Sequence, residues 1–210
     1  MISKTFSPIK YIIILVTVCS ILSCKNTTNS KLETSLTNTV EKTLGKKIIL
    51  PTKLKSYNSF PNIIADSLQM SFASYKIFSH INVSCSSCID GIKNWDSLVP
   101  DFIKVRTSIY LICSSKDNFE LIKSIFESNK LKGFSYPIFF DNENKFIEKN
   151  PFMKVSTHFE TVLTDNNNNI ILMGNPIYSE ETKELYFKEL NKRENSNSIP
   201  TKIIGGIQIK

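Results

Sequence analysis

The sequence predicts an α/β fold, a central mixed sheet flanked by helices, on three observations. Short runs rich in β-branched and aromatic residues alternate with segments whose apolar residues recur every three or four positions. Residues 105–113 alternate and then become continuously apolar, as a central parallel strand does. Residues 159–164 and 170–173 flank the turn-forming run Asp165-Asn166-Asn167-Asn168-Asn169, which predicts a closing antiparallel hairpin. Strand, helix, strand, helix in succession implies right-handed crossovers and a parallel sheet core.

In chain order, Lys4 and Lys10 precede an apolar run at 11–22, shorter than the ~20 residues of a membrane-spanning helix. It ends in Ile21-Leu22-Ser23-Cys24, which resembles the lipobox of bacterial lipoproteins. That resemblance implies a leader over 1–23 and a lipidated Cys24 (palmitate among its acyl chains) as the mature N-terminus. Several acyl chains hold a protein firmly to a membrane surface. Residues 24–45 are rich in Asn, Thr, Ser and Lys and read as a flexible, solvated tether. Ile48-Ile49-Leu50 before Pro51 predicts a short strand opening a domain over 46–191. Residues 61–72 read as loop with one helical turn.

Tyr75, Ile77, Phe78 and Ile81 make a β-prone run, and Ile89, Ile92, Trp95 and Leu98 then mark one face of a helix. After the strand at 105–113, Asp117-Asn118-Phe119-Glu120 has capping-box spacing. Phe119, Ile122, Ile125 and Phe126 give that helix its apolar face. Residues 136–140 predict a further strand and 141–152 an irregular or helical stretch. Gly174-Asn175-Pro176 breaks the hairpin. Ser179 caps a last helix with Glu180 and Glu181 in its first turn and Leu185, Tyr186 and Leu190 on its inner face. The tail, 192–210, is expected to be loosely held.

The chain has 210 residues and a formal charge of +7, with Lys4 and Lys10 inside the leader. The lysines are scattered and form no aromatic-interleaved stripe, which argues against nucleic acid as a partner. Cys19 lies in the leader and Cys24 at its end. Cys113 lies in a strand and reads as a buried small hydrophobe. An exported chain meets an oxidising environment, so the remaining pair, Cys85 and Cys88, can close a disulfide.

That pair stands in Asn82-Val83-Ser84-Cys85-Ser86-Ser87-Cys88-Ile89-Asp90, where a strand hands over to a helix. At a helix start, unpaired N–H groups and the dipole favour a thiolate over a thiol. A lowered thiol pKa lets Cys85 attack disulfides at neutral pH, and Cys88, one turn on, resolves the mixed disulfide. Glu160 is a candidate proton acceptor for Cys88, provided that its side chain rather than that of Phe159 turns toward the sulfurs.

The order strand, Cys-x-x-Cys, helix, strand, helix, strand, hairpin, helix resembles the thioredoxin fold. With the leader, the chain is similar to the membrane-tethered thioredoxin-like lipoproteins of the TlpA/ResA and alkyl-hydroperoxide-reductase-related group. The likeness runs over roughly 46–191 and is carried by Cys85-Ser86-Ser87-Cys88 and Thr161-Val162-Leu163-Thr164-Asp165. It implies thiol–disulfide exchange without a bound cofactor. The partners would be thiols and disulfides of exported proteins or an upstream membrane electron donor. The domain would stand in the periplasm or outside the cell, anchored to the inner or outer membrane.

Two positions depart from the family pattern. Ser84 stands where an aromatic residue usually precedes the first cysteine. The family's cis-proline falls at Phe159, or at His158 with a one-residue slip, and no proline lies between Pro151 and Pro176. A non-proline cis bond costs about 2.5–4 kcal/mol, so a trans peptide is expected there. Two rival readings stay open: a structural disulfide in an inert thioredoxin-fold lipoprotein, and a copper carrier that adds His80, His158 or Cys113 to the thiolates. The predicted site carries no metal, since zinc needs about four ligands and the pair supplies two.

Overall fold

A computed structural model describes residues 27–52, 54–57, 73–84, 86–128 and 138–197. The leader, Cys24, residues 61–72, Cys85 and the tail beyond Asn197 therefore lie outside the described residues. The chain divides into two compact units, 1–42 and 43–210. The first contains nearly all of helix α1, Thr27–Thr43, where the sequence predicts a flexible tether. Leu32, Leu36 and Val40, spaced by four, supply a thin apolar stripe that the Asn/Thr/Ser composition conceals. Leu32 is 61 % exposed, so that stripe is largely solvated over its first turns.

In the second unit, strands β1 (Lys55–Tyr57), β2 (Tyr75–Asn82), β3 (Thr107–Ser114), β4 (Ile138–Phe140), β5 (Thr161–Asp165) and β6 (Ile170–Met173) form one sheet. Its order is β1-β4-β3-β2-β5-β6. β2, β3 and β4 run parallel, with Ile77 opposite Ile109 and Leu111 opposite Ile138. β5 pairs antiparallel with β2, and β6 with β5; β1 pairs antiparallel with β4. The sheet is mixed and flanked by helices, as predicted. The strand predicted at 48–50 is not one. A single bridge, Lys47 with Asn169, holds that segment beside the hairpin, and Ile48 is buried there.

Strand alternation sends successive side chains to opposite faces. Ile77 and Ile81 of β2 and Ile109, Leu111 and Cys113 of β3 join one core, with Ile89, Ile92, Trp95, Val99 and Phe102 of α2 (Ser86–Lys104). Ile122 and Phe126 of α3 (Glu120–Glu127) and Tyr186 and Leu190 of α5 (Glu180–Asn197) complete that side. Leu185, predicted inward, is exposed, because the buried stripe of α5 runs through Tyr186 and Leu190 instead. α5 also continues past the predicted limit of the domain to Asn197. Phe78 and Ile112 face the second core, with Phe146 of α4 (Lys145–Lys149) and Met153 of a 3-10 turn, Pro151–Lys154.

The predicted start of the hairpin strand also changes. Thr157–Glu160 is a 3-10 turn that Ser156 caps by accepting from the His158 N–H, and β5 begins at Thr161. Among the described residues every peptide bond is trans, that before Phe159 included. At the start of α3, Asp117 accepts from the Leu121 N–H at 3.1 Å, one residue beyond capping-box spacing. Phe119 takes a left-handed conformation (φ 64°) and stacks on Phe140 at 4.3 Å.

Candidate active site at the carboxyl edge of the sheet

The parallel strands deliver their carboxyl ends to one edge, where ligands of open α/β sheets commonly bind. β2 leaves that edge under tight control. The Val83 N–H donates to the Ser114 carbonyl at 2.9 Å, and the Ser84 N–H donates to Asn82 Oδ1 at 3.0 Å. The Lys116 N–H in turn donates to Ser84 Oγ at 2.7 Å, tying the loop after β3 to the residue before Cys85. α2 opens at Ser86, so Cys85 immediately precedes the helix in sequence and Cys88 is its third residue. No acidic residue occupies the first turn of α2. Asp90 is exposed and paired with Lys93 at 2.9 Å. No carboxylate in that turn thus competes with a thiolate for the positive end of the helix dipole. The side chains of Cys85 and Cys88 lie outside the described set.

The Glu160 side chain turns toward His80, on the sheet face opposite the core that α2 joins: its carboxylate lies 3.9 Å from His80 Nδ1 and is 25 % exposed, while Phe159 is buried. His80 itself is 6 % exposed, and its Nε2 shares a 2.8 Å hydrogen bond with Ser114 Oγ. Its Nδ1 has no hydrogen-bond partner among the described residues. In the sequence His80 stands only as a candidate copper donor, with neither neighbour signalled. Ser114 and Glu160 are far off in sequence and meet His80 only through strand pairing. Asp141, at the exit of β4, is also buried and accepts from the Phe146 N–H at 2.7 Å. On the opposite face, Ser79 and Thr161 share a buried 2.8 Å hydrogen bond.

Among the described residues, the candidate copper donors His80, His158 and Cys113 form no cluster. Cys113 packs in the first core and His80 stands on the other face, with Phe78 and Ile112, while His158 is exposed. Among the described residues no three His, Cys, Asp or Glu side chains form a metal-binding group. Burial pushes the Cys113 thiol far up, which makes it unreactive as a nucleophile. No described helix is long and apolar enough to cross a membrane.

No family model and no curated protein matches the chain. Solved structures do. The thioredoxin domain of a thiol-disulfide oxidoreductase from Bacteroides vulgatus is 12 % identical, over 68 % of this chain and 96 % of that one, with a TM-score of 0.42. A thioredoxin-like protein in its oxidized form is 11 % identical, over 73 % and 96 %, with a TM-score of 0.45. An uncharacterized thioredoxin-like protein from Porphyromonas gingivalis is 16 % identical, over 60 % and 79 %, with a TM-score of 0.40. In this chain itself, a β2–α2–β3–α3–β4 parallel run is followed by a β5–β6 hairpin and a helix on the same face as α2. By that order and direction of its strands, the chain is thioredoxin-like in fold.

Proposed function

We propose that this chain is a thiol–disulfide oxidoreductase that works through Cys85 and Cys88, tethered by lipid on Cys24 and acting on exported proteins. One observation carries the reading: the Cys-x-x-Cys pair spans the hand-over from β2 to the first turn of α2, whose incoming loop is held by Ser84 and Lys116. In this mechanism the Cys85 thiolate attacks a substrate disulfide and expels one substrate thiolate. Cys88 gives its proton to Glu160 and attacks the Cys85 sulfur, releasing the second substrate thiolate. The two released thiolates take up protons from water, which in turn receives those given up by Cys85 and, through Glu160, by Cys88; the substrate thus gains two electrons and two protons, and the protein is left as the Cys85–Cys88 disulfide. A bound cofactor has no part in these steps.

Equilibration of the full chain with glutathione buffers, read by alkylation and mass shift, tests it. The expected result is a two-electron transition between about −120 and −300 mV that is lost in Cys85→Ser. A pair that stays oxidised below about −300 mV is a structural disulfide and refutes the exchange role. Copper-dependent charge-transfer absorption of the reduced form, lost in His158→Ala, would support the carrier reading instead.

A further inference from the structure

The two faces of the sheet are covered by layers of different charge. On the first face, α2 holds three acids and two lysines, α3 two acids and one lysine, and α5 five acids and four basic residues, so each helix is net negative. On the face that carries Phe78 and Ile112, the covering layer brings residues 46–50 against 145–155. Ile48 joins Phe146 and Met153 in the second core. The Ile49 N–H donates to Asn150 Oδ1 at 3.0 Å, and Asn150 Nδ2 donates to the Ile49 carbonyl at 2.8 Å. Residues 43–57 hold four lysines and no acid. The acids of the partner segment are occupied: Asp141 is buried, and Lys145 is bonded to Glu148 at 2.8 Å and also feels the Glu143 charge. Lys46, Lys47 and Lys149 are exposed and form no ion pair among the described residues, while Lys154 is exposed and lies near Glu148. Within the same layer Ile49 is 50 % and Val155 49 % exposed.

Resting on the lipid tether proposed above, we propose that this layer is the face the domain turns to a membrane surface of anionic phospholipid headgroups. Unpaired ammonium groups are drawn to such headgroups, and each lysine near the surface adds to the attraction. Ile49 and Val155 supply aliphatic groups that leave water at the headgroup boundary. A nucleic-acid strand would instead call for exposed aromatic platforms among the lysines, and in this layer Phe146 is buried and Phe152 half-buried. The layer also lies where the chain enters the domain. The link from Cys24 to Lys46 contains α1, which rises about 26 Å over its 17 residues. A tether that short holds the domain at high effective concentration over the bilayer, so a few lysines suffice for contact. α2, with Cys88 in its first turn, packs on the opposite face of the sheet. Docking by the basic layer therefore leaves α2 on the side away from lipid, open to exported proteins.

The test is acetylation of the full chain on vesicles by a membrane-impermeant succinimidyl ester, read lysine by lysine by mass spectrometry. The vesicles are phosphatidylcholine alone or phosphatidylcholine mixed with phosphatidylglycerol. On the mixed vesicles at low salt, Lys46, Lys47, Lys149 and Lys154 should react about 10-fold more slowly than on phosphatidylcholine, and Lys188 and Lys192 of α5 at an unchanged rate. Salt at about 1 M, where the screening length is about 3 Å, should abolish the difference. Lys46→Glu with Lys47→Glu should remove the protection of Lys149, and Lys188→Glu with Lys192→Glu, the same change in net charge, should not. No protection on the mixed vesicles, or equal protection of all six lysines, would overturn the proposal and leave the exchange function standing. Protection by heparin and by neither vesicle would overturn lipid as the partner. If the wild type does not float with phosphatidylcholine vesicles, the tether fails on its own. The same contrast between the two groups of lysines, with mixed vesicles added to the free chain, then supports or overturns the basic face.

Discussion

The docking of α5 onto the sheet offers a clean perturbation. Tyr186 is fully buried, and its hydroxyl donates to the Gly174 carbonyl at 2.7 Å, just past the end of β6. Tyr186→Phe removes one oxygen and leaves the ring, which packs edge-on against Phe102 with centroids 6.0 Å apart. The cavity term is therefore small, and the cost is the lost bond plus a buried carbonyl without this donor, about 1–2 kcal/mol. With a urea m-value of about 2 kcal/mol per molar, the unfolding midpoint should fall by about 0.5–1 M at constant m. Leu185→Ala, one residue away on the exposed side of α5, should shift stability by no more than about 0.5 kcal/mol. Equal midpoints for the two variants would refute the role assigned to the Tyr186 hydroxyl.

Two further expectations concern stability. The Cys113 thiol is neutral in the folded state because burial raises its pKa, so its stabilising effect is complete below the unfolded value, about 8.5, and is lost as pH rises above it. Urea midpoints should fall between pH 7 and pH 9.5, and fall less in Cys113→Ala. Gly174 has φ +145°, and a Cβ there would lie 2.9 Å from Thr182 Cγ2; Gly45, at φ +78°, has open space around it. Gly174→Ala should therefore cost about 2–3 kcal/mol and Gly45→Ala about 1 kcal/mol in thermal or urea unfolding. Equal losses would show that the Thr182 contact gives way freely.

Much of the fold is written locally. The alternation of Tyr75, Ile77 and Ile81, the three-residue steps of Ile89, Ile92 and Trp95, and the asparagine turn after Asp165 each report a face that neighbouring residues can specify unaided. Those signals place β2, α2, β3 and the hairpin, and with them the Cys85–Cys88 motif at a strand-to-helix junction. Other features have no local signature. Leu185 and Tyr186 are adjacent apolar residues, and only packing against Phe102 and the Gly174 carbonyl decides which turns inward. Residues 159–160 alternate like a strand yet close a 3-10 turn, because Glu160 lies beyond the last paired position, Ser79 with Thr161. Thus the chemistry of single segments belongs to the sequence alone. The meeting of His80 with Ser114 and Glu160 belongs to the tertiary structure, since register and strand order bring together groups that no stretch of chain holds side by side.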